Sequence, residues 1–251
     1  MKLLILLIVT LVSLPSFTSS ADFDVLVIVW PASFCEGSKK CLEEKPNIFT
    51  LHGLWTNRFT KVCSSVTPDL NTFRSWPIFA DLNQYWLRLD AENIIIWQHE
   101  WEKHGTCIAD PLGYFTLTLQ LYKNNFNIPN LLSSLKLHGK KILFMTDFIS
   151  FAFVLLIFII FFVVIVSTVV PNSTTTYTYA QLQQAFNEIL GGGNHNIFLK
   201  CLGKRNKKLH LQEVGIYMDL VSTAVISSPI PTSMCDDGRP IVFPDVKLVN
   251  K

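Results

Sequence analysis

The sequence predicts an α+β domain, an antiparallel sheet with several packed helices, and three observations predict it. Strand-like text occupies both ends of the chain, helix-periodic text lies between them, and Gly, Pro, Asn and Asp punctuate the joins. A doubly wound fold would alternate strand and helix throughout. At 251 residues, 49% of them hydrophobic, the chain is long enough for one domain with a sizeable core. Its formal charge of +2 is too small to argue for nucleic acid by itself.

The chain opens with Met1-Lys2, an apolar run from Leu3 to Leu14 and the small residues Thr18-Ser19-Ser20-Ala21. That pattern is a secretory signal peptide over residues 1–20, leaving a single domain over 21–251. Secretion, to the extracellular space or the vacuole, places Cys35, Cys41, Cys63, Cys107, Cys201 and Cys235 in an oxidising compartment. The even count favours disulfides over metal ligation, but six cysteines allow fifteen connectivities and spacing does not choose among them.

Phe23 to Trp30 and Ile48 to Trp55 are rich in β-branched and aromatic residues and predict two strands, with a polar loop carrying Cys35 and Cys41 between them. From Thr72 to Leu89 apolar residues recur at helical spacing, with Pro77 suited to a first turn. Asn93 to Trp97 leads into a helical histidine segment. Pro111 to Phe126 and Pro129 to Leu137 predict two further helices. Thr178 and Gln181 form a capping-box pattern opening a helix that Gly191-Gly192-Gly193 would stop. The tail returns to strands over Ile197–Cys201, Leu209–Leu220, Ala224–Ile226 and Ile241–Phe243.

One run does not fit a soluble domain. Phe148 to Val166 has no charged residue and, with its flanks, is long enough for a membrane span. Topology objects. After a cleaved signal, Lys136, His138, Lys140 and Lys141 would lie on the lumenal side, against the preference of basic residues for the cytoplasm. A span would also send Cys201, Cys235 and the sequon Asn172-Ser173-Thr174 to the wrong side for pairing and glycosylation. Residues 140–169 are therefore read as a translated intron or similar gene-model artefact, rich in amino acids with thymine-rich codons. A true span and a buried element are the alternatives. With the run an artefact, no stable membrane partner is expected.

The chemistry gathers in Trp97–Cys107, which holds His99, Glu100, Lys103 and His104, and in Phe49–Trp55, which holds His52 in a strand. On an ideal helix the four residues span an arc of about 140°. The zinc-protease pattern needs histidines four apart, and that place is taken by Lys103. Two histidines from separate segments suit general acid–base catalysis, with a lysine to stabilise developing negative charge. That combination fits phosphoryl transfer on RNA, which supplies its own 2′-OH nucleophile.

FTLHGLW and HEWEKHGTC resemble the two active-site segments of the ribonuclease T2 family, and Trp30 to Cys35 resembles the WPxxFC entry of its plant secreted members. The resemblance covers nearly the whole mature chain apart from the apolar run. It implies an α+β fold and cleavage of single-stranded RNA through a 2′,3′-cyclic phosphate, by a monomer, with no metal and no cofactor. It implies His104 as the base and His52 as the acid, with Glu100 and Lys103 stabilising the transition state. His99 would hold the phosphate and Trp55 would stack a base.

The resemblance also implies the disulfides Cys35–Cys41, Cys63–Cys107 and Cys201–Cys235. A further bridge common in plant relatives would fall at Tyr217 and Ser228, where both cysteines are missing. Thr56 and Asn57 replace the usual Pro and Asp after the motif Trp, and Val29 stands where Gln commonly precedes the entry Trp, so base preference stays open. Alternatives are an S-type self-incompatibility cytotoxin within the family and a catalytically inactive secreted binding or storage protein.

Overall fold

The computed structural model describes residues 22–36, 41, 44–58, 62–135, 169–190, 197–203, 207–227 and 234–246. The leader over 1–20, the apolar run up to residue 168, the glycine stop at 191–193 and Ser228 lie outside them. Among the described residues, β1 (Asp24–Val29), β2 (Thr50–Thr56), β3 (Asn172–Tyr177), β4 (Phe198–Leu202), β5 (Leu209–Asp219), β6 (Ala224–Val225) and β7 (Ile241–Phe243) form one seven-stranded sheet. Its order is β2-β1-β5-β7-β3, with β4 and β6 also on β5. Every pairing is antiparallel except β5 with β7, which run parallel over Leu209–Ile241 and His210–Val242. β6 runs back against β5, whereas β7 lies parallel to it. β3 was not expected. Its signal was the run of β-branched Thr174, Thr175 and Thr176.

The α-helices α1 (Pro31–Glu36), α2 (Leu70–Ser75), α3 (Phe79–Tyr85), α4 (Asn93–Glu100), α5 (Pro111–Gln120) and α6 (Tyr179–Leu190) accompany the sheet. Residues 131–135 are also helical. The single helix expected over Thr72–Leu89 is two, α2 and α3. Trp76, before Pro77, takes the extended conformation (φ −80°, ψ 141°) that a following proline favours, and the helix breaks there. The loop expected after β1 begins as α1, because Pro31 at its first position has the φ a helix needs. The capping box at the start of α6 is present: Thr178 N donates to Gln181 Oε1 at 2.9 Å and Gln181 N to Thr178 Oγ1 at 3.2 Å.

One face of the sheet presents Leu26, Ile28, Val214 and Ile216 to the main core, which also buries Trp86, Trp97, Trp101, Tyr114, Phe115 and Phe186. The opposite face carries a smaller cluster of Val25, Val27 and Tyr217, packed by Phe23, Trp55, Phe198 and Ile226. Tyr217 meets Phe23 edge-on at 5.3 Å, so aromatic packing occupies the place of the missing bridge's first cysteine. The three disulfides join Cys35 to Cys41, Cys63 to Cys107 and Cys201 to Cys235, the pairing the resemblance implies.

Candidate active site

His52 owes its position to a fault in the ladder. Val27 pairs with Gly53 and Ile28 with Leu51, so His52 is an extra residue in β2 between them, a β-bulge. The bulge turns its ring towards β5, and the indole of Trp86 fixes the backbone by donating to His52 O at 2.8 Å. β2 is an edge strand, and α4 packs beside it.

α4 delivers the second half of the site. Its last residue, Glu100, is 1% exposed, and beyond it the helix widens into a π turn over Trp101–Gly105. Such turns recur at functional sites. The 140° arc drawn on an ideal helix does not hold here, because i→i+5 bonding rotates His104 back towards the face of His99. Gly105 lets the turn press on Tyr114, where a Cβ would lie 2.9 Å from the ring, and Tyr114 Oη donates to Leu54 O at 3.2 Å. Gly53 makes the matching allowance in β2: a Cβ there would overlap Glu100 Oε2.

Four of the expected residues are in direct contact. His52 Nε2 lies 3.5 Å from Glu100 Oε1, and Trp55 Nε1 donates to Glu100 Oε2 at 2.9 Å. The Trp55 ring stacks on His104 (5.3 Å between centroids, 28° between planes) and meets His52 edge-on at 5.1 Å. Trp55 is thus built into the site by its indole N–H and one ring face. His99 and Lys103 are exposed at its margin, and both make themselves felt electrostatically at His104. Trp97 and Trp101 are buried packing residues, and Glu102 accepts from Thr67 Oγ1 at 2.8 Å on the surface. Among the described residues, no group of three His, Cys, Asp or Glu side chains converges as a metal site.

The two histidines are driven in opposite directions. Burial, with the cationic neighbours His99, His52 and Lys103, lowers His104 to about 4. Burial would lower His52 too, but contact with Glu213 and the charges of Glu100 and Glu213 outweigh it and raise its pKa. Burial pushes Glu100 up to about 7, against the pull of His52 and the Trp55 hydrogen bond.

Two residues of this constellation were not singled out from the sequence. Glu213 of β5 places Oε1 3.3 Å from His52 Nδ1, and Lys200 of β4 places Nζ 2.9 Å from the same oxygen. The available signal was a carboxylate in the middle of the apolar strand text LHLQEVGIYMD, where a charge is costly without partners.

Residues 21–152 match the model of the ribonuclease T2 family. The chain belongs to the ribonuclease T2 family. As a member, it is an RNA-cleaving enzyme. Among its relatives, Ribonuclease S-3 of Petunia hybrida is 26% identical over 219 residues, covering 83% of this chain and 82% of the relative. Ribonuclease S-2 of Nicotiana alata is 28% identical over 248 residues, covering 94% and 95%. The fold is similar to that of RNase NT in a crystal structure with 5′-AMP, at 24% identity and a TM-score of 0.64, covering 90% of this chain and 98% of that one.

Proposed function

We propose that the chain is a secreted endoribonuclease that cleaves single-stranded RNA by transphosphorylation through a 2′,3′-cyclic phosphate. The observation that carries this reading is the pair of histidines with opposed pKa shifts on either side of Trp55 and Glu100. Groups whose surroundings push their pKa values apart take the acid and base roles. His104 is neutral above about pH 4 and accepts the 2′-OH proton. The 2′-oxygen attacks phosphorus, the bond to the 5′-oxygen breaks, and protonated His52 gives its proton to that leaving group. In the second step water takes the place of the leaving alcohol and the proton roles reverse.

Glu100 and Lys103 stabilise the transition state. Below pH 7 Glu100 carries a proton and can donate a hydrogen bond to a phosphorane oxygen, while Lys103 contributes charge. His99 holds the phosphate from the margin, and Trp55, which is only half-buried, stacks a base. The 5′-AMP in the RNase NT crystal structure is in keeping with a nucleotide site on this fold.

The enzyme acts as a monomer that has lost residues 1–20 and is glycosylated at Asn172, the half-buried first residue of β3, which the exposed Ser173 and Thr174 follow. Residues 140–169 are an artefact of the gene model. Leu135, before the run, and Tyr177, after it, are both buried in the one main core, and β5 of the tail pairs with β1. A bilayer between them would divide that core and sheet. Sequencing the mature transcript tests this: a message that retains the run overturns it. For the catalytic reading, His52→Ala and His104→Ala are each expected to abolish RNA cleavage with unchanged circular dichroism, and EDTA to leave activity intact. Full activity in either variant would remove that histidine from the mechanism.

A further inference from the structure

Cross-strand register places Lys200, Glu213 and Val29 in one row across β4, β5 and β1, and the β2 bulge turns His52 over the end of that row. Glu213 has a side chain 3% exposed, so almost no water solvates its charge. Its Oε1 instead faces two nitrogens, His52 Nδ1 at 3.3 Å and Lys200 Nζ at 2.9 Å. A buried carboxylate held this way by one lysine has a fixed position and keeps its charge.

We infer that Glu213 is a positioning residue for catalysis, orienting the His52 ring through Nδ1 so that Nε2 presents the proton to the leaving oxygen. A carboxylate at Nδ1 keeps a proton on that nitrogen, as second partners of functional histidines do generally. The inference rests on the acid role given to His52 above. Lys200 holds Glu213 from the far side. Neither residue reaches the reacting atoms: both act through His52.

Charges face His52 from three sides. Glu213 on β5 favours its protonated form, Glu100 on α4 does so where it is ionised, and Lys200 on β4 opposes it. Glu213 is itself held below its ordinary value: burial would raise it, but contact with His52 and Lys200 prevails. Ionised Glu213 therefore supports protonated His52 through the range in which an acid is needed.

Glu213→Gln keeps the shape and removes the charge. The expected result is a fold of RNA cleavage lowered about tenfold or more in kcat with KM little changed, a part of the 10²–10⁴ that a positioned acid supplies. The alkaline limb of the kcat/KM profile should move to lower pH, and the NMR titration of the His52 ring should move down with it. Glu213→Asp should recover part of both. A His52 titration unmoved in Glu213→Gln overturns the inference at the structural step and leaves the acid role standing. A titration that moves while kcat and its pH profile stay unchanged overturns it at the functional step, together with the acid role of His52.

Discussion

Glu100→Gln is expected to stabilise the protein at alkaline pH. Glu100 is 1% exposed, and burial raises its pKa from an ordinary 4.5 to about 7. The sign follows from linkage: the folded state holds the proton more tightly, so this group's stabilising contribution is complete below pH 4.5 and is lost as pH rises through about 7. The distance between those two values corresponds to about 3 kcal/mol. Glutamine has nearly the same shape, can accept the Trp55 N–H bond that Oε2 now accepts, and cannot ionise. Protonated His52, 3.5 Å away, offsets part of the cost of the charge, so the gain is largest once His52 has lost its proton. Urea unfolding followed by tryptophan fluorescence at pH 4.5 and pH 8.5 measures it. The two proteins should differ little at pH 4.5. At pH 8.5 the variant should unfold about 1 M later, for an m-value of about 2–3 kcal/mol/M. A variant no more stable than the unaltered protein at pH 8.5 would refute the reasoning that burial makes the charge of Glu100 costly.

The opposed histidines predict an acidic working range. His104 is available as a base above about pH 4, and His52 stays protonated to above its ordinary 6.5, so initial rates on RNA should be higher at pH 5 than at pH 8.5; an optimum above pH 8 would contradict the assignment. Gly53→Ala should displace Glu100, since the new methyl would overlap Oε2 and lie 2.8 Å from Cδ. A loss of activity with a destabilisation of about 1–3 kcal/mol by thermal unfolding is expected, and unchanged activity would show that Glu100 has other room.

Much of the fold was legible because local patterns and long-range packing agree in it. The strands β1, β2 and β5 carry the β-branched and aromatic residues that both faces of a buried sheet need, and α6 announces its start by Thr178 and Gln181. The break between α2 and α3 is hidden from periodicity because apolar spacing continues across Pro77 while the helical backbone does not. The parallel entry of β7 and the strand character of Asn172–Tyr177 depend on partners distant in sequence, which periodicity does not register.

In the site, motif residues came together as adjacent segments, whereas three determinants were hidden. The bulge at His52 exists only in the pairing of β2 with β1. The π turn replaces the regular helix on which the arc of His99 to His104 was drawn. Glu213 reaches His52 from a strand far along the chain, a contact that no local pattern registers.

The central claim is that His52 and His104 perform a transphosphorylation, and product identity tests it most directly. Phosphorus NMR of a short single-stranded RNA incubated at pH 5 with the purified protein and EDTA should show the 2′,3′-cyclic phosphate form first and then decay to a 3′-phosphate, with neither signal produced by His52→Ala or His104→Ala. A 5′-phosphate product, or cleavage that stops when EDTA is added, would contradict it.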